Sequence, residues 1–377
     1  MTEWRKYYFK DIFQIIDGDR GVNYPKQSDL YSEGFCLFLN TGNVTSSGFN
    51  FEKNQFITKE KDKMLRKGKL RRGDIVFTTR GTVGNVALYD DSIPYENIRI
   101  NSGMVILRTN ESVANKEFIF QILKSNYKKK LISPFISGSV QPQLPIKDLK
   151  EISLPLPPLP EQKAIAEVLS SLDDKIDLLT RQNKTLEDLA QAYFRKWFIE
   201  DASNKWEKKS LGEIVTINYG KALPERERVS GKIPVYSSAG VTGWHNQYLV
   251  NSRGIVIGRK GTIGTIYWVP EPFYCIDTAY YITPEDSKYD LTFIYFLLKT
   301  MSLQDLNEDS AVPGLNRNTI YSQEFLQPPD DLICKFIRLS NTLLQKIQSN
   351  TAQIHALSKL RDTLLPKLIS GEIRVKM

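Results

Sequence analysis

The sequence predicts an α+β protein written twice. Two similar domains are each followed by a long helix, and the two helices pack antiparallel as a coiled coil about a pseudo-twofold axis. Three observations predict this: repeated blocks in a fixed order, β-prone runs bracketed by glycines in each copy, and a heptad pattern after a proline-rich stretch.

The internal repeat is the most informative of these. Trp4-Arg5-Lys6 and the residues to Ile12 match Trp206-Glu207-Lys208 and the residues to Ile214. Gly73-Asp74-Ile75-Val76, leading into Arg80-Gly81-Thr82-Val83-Gly84, matches Gly254-Ile255-Val256, leading into Lys260-Gly261-Thr262-Ile263-Gly264. Phe118 to Lys124 matches Phe293 to Lys299. The offset falls along the chain, so the first copy carries roughly thirty more residues, mostly between Gly18 and Gly73. Two long copies indicate a duplication and not a solenoid of short repeats.

Within each copy, Ile75–Thr78 and Val86–Tyr89, or 254–258 and 265–269, read as strands. Short helices are expected near 116–127 and 291–300. The prolines of 154–160 then break regular structure, because their φ is fixed and they lack a donor; Pro328-Pro329 does the same in the second copy. After them Ile165, Leu169, Leu172, Ile176, Leu179, Asn183, Leu186, Ala190, Tyr193 and Trp197 alternate four and three apart. From Glu161 to Ile199 such a helix is roughly 55–60 Å long. The second seam reads Phe336, Ser340, Leu343, Ile347, Asn350, Ile354, Leu357, Arg361, Leu364 and Leu368. Antiparallel pairing brings Asn183 and Asn350 together, a polar pair that fixes register at some cost in stability. The resulting division is a first domain over 1–153, a first long helix over 154–200, a second domain over 201–327 and a second long helix over 328–377.

The chain has 377 residues, 41% hydrophobic and 25% charged, and a net charge of +8. That balance favours a polyanionic partner. Three dispersed cysteines (Cys36, Cys275, Cys334) argue against a disulfide scaffold, a zinc finger or a cysteine redox motif. The N-terminus lacks a signal peptide's apolar core and no apolar run reaches about 18 residues, so a cytoplasmic protein without membrane partners is expected.

The stretch Leu154-Pro155-Leu156-Pro157-Pro158-Leu159-Pro160-Glu161-Gln162-Lys163-Ala164-Ile165-Ala166, leading into Leu172-Asp173-Asp174-Lys175-Ile176, resembles the specificity subunits of Type I restriction–modification enzymes. So do the ending from Leu364-Leu365-Pro366-Lys367 to Ile373 and the two glycine turns. The resemblance spans almost the whole chain. It implies two target-recognition domains on double-stranded DNA, each reading one half of a bipartite sequence. It further implies that the helices act as a ruler between the halves and dock two modification subunits, with restriction subunits as further partners. The chain itself then needs no cofactor and is not an enzyme. S-adenosylmethionine, ATP and Mg are expected in the partner subunits, with DNA methylation, through a flipped base, occurring there.

The residues offer candidate DNA contacts. Arg80, Thr82, Lys260 and Thr262 sit in glycine turns that let backbone and cation approach a phosphate. Ser139 and Gln141, with Asn316 and Arg317 in the second copy, lie in polar loops able to bond bases. Between Lys59 and Arg72 there are eight cations and two anions, including Lys67, Arg71 and Arg72; this excess suggests backbone contact, with Arg253, Arg259 and Lys260 as counterparts. Lys124, Lys128, Lys129 and Lys130 form another basic group. Tyr24, Asn40, Tyr236, Ser237, Trp244 and His245 are weaker candidates, while His355 reads as a surface helix residue.

Two other readings stay open on the residues. Asp148 with Glu161-Gln162-Lys163 has the types of a metal-dependent nuclease, although Glu161 opens a helix and Leu332 replaces it in the second copy. The helices alone could also serve a scaffold that binds no DNA. No phosphate loop, cofactor loop or methyltransferase motif is present in the sequence, and no catalytic or metal-binding residue is assigned.

Overall fold

In a computed structural model, residues 4–138, 141–306 and 314–375 are described. They form two compact units. One comprises the residues up to Ile176 with those from His355 onward, and the other comprises Asp177–Ile354. Each therefore holds one sheet-bearing domain, the adjoining part of that domain's own helix and the far part of the other copy's helix.

The duplication is visible in the strand order. In the first unit Phe13–Asp17, Met104–Thr109, Ile75–Thr78 and Val86–Leu88 lie side by side in that order, all antiparallel. In the second, Asn218–Tyr219, Ala279–Ile282, Gly254–Gly258 and Ile266–Val269 repeat the arrangement. The strand Ile75–Thr78 is buried on both faces, which explains its unbroken apolar run. A two-stranded ribbon closes each copy: Arg5–Tyr8 pairs with Ser153–Leu156, and Lys208–Ser210 with Glu324–Leu326.

Each domain presents one apolar helix to the long helices. Lys116–Lys124 is capped by Asn115, whose side chain accepts from Phe118 N at 2.8 Å. Leu291–Lys299 is capped by Asp290 in the same way, through Thr292 N. The first long helix runs Leu159–Arg195 and continues as a π-turn over Lys196–Glu200. The second runs Asp330–Ile369. Gln162 latches the first to its domain: it accepts from Asn115 N at 2.8 Å and donates to Pro157 O at 2.8 Å and Val113 O at 3.2 Å. Ile333, its counterpart in the repeat, is buried in an apolar core instead.

The long helices pack antiparallel within each unit. In the first, Ile165, Ala166 and Leu169 share a core with Leu365, Leu368 and Ile369. Arg361 donates to Asp173 at 2.7 Å, and the same carboxylate accepts from Gln121 (2.9 Å) and Lys124 (3.1 Å). Burial works against the Asp173 charge, but Arg361, Lys124 and Gln121 outweigh it and hold the carboxyl below its usual range. In the second unit, Asn350 is fully buried and its Nδ2 donates to Asn183 Oδ1 and Gln182 Oε1, both at 2.9 Å. Asn183 donates in turn to Thr351 at 3.2 Å. The two asparagines thus meet in one polar layer.

The inward seam positions Leu169, Leu172, Ile176, Leu179, Leu186, Leu343, Ile347, Ile354 and Leu357 are all buried or half-buried. The seam departs from the heptad reading at one end. Tyr193 is exposed, and Phe194 and Phe198 turn inward with Ala190. Here the helix faces Phe293 and Phe296 of the domain as well as Phe336 of the other helix, with the Phe194 and Phe336 rings 5.2 Å apart. Burial against two neighbours needs a wider stripe than a two-helix seam, and spacing of four supplies it.

Phe194→Ala is therefore expected to cost about 3–4 kcal/mol in chemical unfolding, and Tyr193→Ala about 1 kcal/mol or less. Asp173→Asn is expected to cost about 2 kcal/mol at neutral pH. Because the Asp173 pKa is depressed on folding, that contribution is complete above the unfolded carboxyl pKa, near 4, and is lost as pH falls through the lower folded value. The gap between wild type and Asp173→Asn should close as unfolding is followed toward pH 2.

Candidate nucleic-acid interface

Both central sheets end in the same turn. After Ile75–Thr78, Gly81 and Gly84 take φ of +71° and +93°; after Gly254–Gly258, Gly261 and Gly264 take +79° and +70°. Gly84 N donates to Thr78 O, and Gly264 N to Gly258 O, each at 2.9 Å. A side chain at Gly264 would meet Gln304 N at 2.2 Å, whereas one at Gly81 would meet open space. The second glycine of each turn thus serves packing and the first serves the bend. Arg80, Thr82, Lys260 and Thr262 all lie exposed on these turns.

The fold brings the polar loops beside the turns. Arg80 bridges Gln143, and Leu144 N donates to Thr79 O at 2.9 Å. Likewise Lys260 bridges Gly314, and Leu315 N donates to Arg259 O at 2.9 Å. Gln141 is exposed in the first loop; Ser139 lies outside the described residues. Asn316 is exposed and caps the short helix Arg317–Tyr321, its side chain accepting from Asn318 N at 2.8 Å. Lys128 reaches under the first turn to donate to Gly84 O at 2.5 Å, and burial, helped by Lys129, lowers its pKa. Lys124 is paired with Asp173, and Lys129 and Lys130 are exposed.

The basic run divides into structural and free cations. Lys61 pairs with Asp29 at 2.9 Å and Lys69 with Asp62 at 2.7 Å. Asp62 is itself buried against Arg99, Nε to Oδ1 at 2.6 Å. Arg72 stays exposed but is engaged: its guanidinium lies 4.1 Å from the Tyr89 ring centre and donates to the carbonyls of Asp90 and Ile93. Lys67 and Arg71 are exposed, and among the described residues their side chains form no ion pair. Asp17, Arg20, Thr79, Arg80, Gln143 and Lys147 line a cleft of about 290 Å³ beside the first turn.

In the second domain Arg259 and Arg317 converge on Tyr219, each guanidinium about 5 Å from its ring centre (5.0 and 4.9 Å). Tyr219, Asp17 and Arg20 escaped the sequence reading because nothing in their neighbourhood marks them; strand pairing alone carries them to the turns. Among the weaker candidates, Trp244 is half-exposed. Tyr24 packs on Phe38, Tyr236 on Phe273, and the Asn40 side chain accepts from Gly42 N. Ser237 and His245 are buried, His245 Nδ1 accepting from Val229 N at 3.0 Å. His355 is exposed on the second long helix.

Glu161 is buried with Arg374 Nε at 3.8 Å, so its neighbour is a guanidinium. Among the described residues no three His, Cys, Asp or Glu side chains gather as a metal site. Burial pushes the thiols of Cys36 and Cys275 up to about 12, which makes them poor nucleophiles at neutral pH.

A family model described as the Type I restriction modification DNA specificity domain matches residues 1–188 and 203–349. The chain is 28% identical over 345 residues to the Type I restriction enzyme MjaIX specificity subunit of Methanocaldococcus jannaschii, covering 81% of this chain and 78% of that one. It is 23% identical to the HindI specificity subunit of Haemophilus influenzae, covering 99% and 100% of the two. The crystal structure of a Type I restriction–modification S subunit from M. genitalium has the same fold, with a TM-score of 0.60 at 23% identity over 99% and 96% of the chains.

The paired turns make a test of their own. Gly264→Ala must both hold a positive φ and displace backbone, so a loss of about 3 kcal/mol or more is expected. Gly81→Ala meets only the φ cost, about 1–2 kcal/mol. Thermal unfolding of the two variants should show the larger drop for Gly264→Ala.

Proposed function

The chain belongs to the Type I restriction–modification DNA specificity family, and on that premise we propose that each domain reads one half of a split DNA sequence while the long helices dock modification subunits. The observation that carries this is the pair of equivalent sheets, each ending in a glycine turn that presents a cation and a threonine. Equivalent scaffolds with different residues around the turn suit two half-sites of different sequence.

The division of labour follows from the chemistry. On this reading Arg80, Thr82, Lys260 and Thr262 hold backbone or base edges, with Gln141 and Arg317 as further contacts. The chain contributes recognition, and methyl transfer belongs to the modification subunits, which carry S-adenosylmethionine. ATP and Mg act in restriction subunits where these join the complex. No helix of the described residues is long and apolar enough to cross a membrane, and the site of action proposed is cytoplasmic DNA.

Sequencing of methylated bases in cells with and without this chain tests the proposal. A bipartite methylated motif should vanish with the chain, and substitutions at Arg80 or Lys260 should alter one half of it only. Loss of both halves together, with the protein still folded, would count against one half-site per domain.

Lys67 and Arg71 are expected to act on the DNA backbone. Lys67→Gln with Arg71→Gln should weaken binding to every duplex and flatten the slope of log affinity against log salt by up to about 2. A loss confined to the methylated motif would assign them to base reading instead.

A further inference from the structure

The two readers differ in charge chemistry at one equivalent place. Tyr219 pairs with Tyr280, which pairs with Ile257 one step before the end of its strand. By the same register Asp17 pairs with Val105, which pairs with Phe77. Arg259 then corresponds to Thr79, since both donate their backbone N–H across the sheet, to Thr278 O and Gly103 O respectively. Arg317 opens the short helix after the return loop, where the first domain has Ile146. Tyr-Arg-Arg in the second domain thus replaces Asp-Thr-Ile in the first.

The side chains are held in place for an incoming anion. Arg259 donates to Asp277 O at 3.2 Å and Arg317 to Ile217 O at 3.3 Å, so one arm of each guanidinium is fixed by backbone. Their guanidinium carbons sit 5.0 and 4.9 Å from the centre of Tyr219, which is 45% exposed and stands edge-on to Tyr280. Arg317 Nε is buried and has no acceptor among the described residues. Nor does any carboxylate there pair with either guanidinium. Two like charges gathered on one ring, with donors unanswered, fit an anion brought from outside.

Resting on the DNA-reading assignment above, we propose that Tyr219, Arg259 and Arg317 form a cradle for one backbone phosphate of the DNA, an anchor the first domain does not build at the matching place. There the carboxylate of Asp17 occupies the ring's position and pairs with Arg20 at 3.2 Å, which sets a negative charge where the second domain has an aromatic ring. The second domain therefore grips the duplex backbone through a fixed point, and the first relies on the exposed Lys67 and Arg71 of its basic run.

The test uses the full chain and a random-sequence duplex of about 30 base pairs, with affinity measured over a range of salt. Arg259→Gln with Arg317→Gln should bind more weakly and flatten the salt slope by about 0.9, the share of one phosphate. Arg259→Lys with Arg317→Lys should keep most of the slope, because the charge remains. Arg259→Gln alone keeps the test alive if the double variant fails to fold, since that side chain is half-exposed; it should flatten the slope in part. An unchanged slope in both glutamine variants overturns the cradle, as does a change in base preference at constant slope. Failure of the wild-type chain to bind any duplex would overturn the DNA-reading assignment and the cradle with it, whereas normal wild-type binding with unaltered variants sinks the cradle alone.

Discussion

The structure depends on a shared core: neither domain closes its apolar interior with its own copy's residues alone. Lys116–Lys124 of the first domain packs into a core that includes Leu365, Leu368 and Ile369, which come from the second copy's helix. Leu291–Lys299 of the second domain packs into one that includes Ala190, Phe194 and Phe198 from the first copy's helix. Burying such side chains contributes about 1.5–3 kcal/mol each, so the exchanged helix ends are a large fraction of the stability of either unit. Folding of one domain is thereby tied to correct pairing of the helices.

Polar groups set how those helices pair. Asp173 gathers Arg361 from the other helix and Gln121 and Lys124 from the domain, so a shift along the helix would strand a buried charge. Asn350 does the same with neutral groups, its amide shared between Asn183 and Gln182. Sliding by one turn would leave these donors and acceptors facing leucine and isoleucine. Apolar packing supplies the attraction, and the polar contacts choose one register from several.

Duplication with divergence explains the surface. Strand order, turn geometry and the position of the return loop are the same in both copies, because each is set by backbone bonding and core packing. The residues around the turn are free of that constraint. The second copy has therefore been able to gather Tyr219, Arg259 and Arg317 where the first has Asp17, Thr79 and Ile146, without altering the sheet beneath.

The sequence by itself determined the architecture of each copy. Ordered repeats, glycine-bracketed strands and heptads spaced four and three apart depend on local geometry, and the pairing of Asn183 with Asn350 follows from their places on either side of the centre of two antiparallel helices. Tertiary structure decided what distance along the chain conceals. The inward turn of Phe194 at the expense of Tyr193 arises because a second neighbour, the domain's own helix, widens the buried stripe. Arg72 is engaged by carbonyls some twenty residues later, and Tyr219 reaches the glycine turn only through strand pairing. Periodicity is written in neighbouring residues, but the partner of a charge or a ring is chosen by the packing of remote segments.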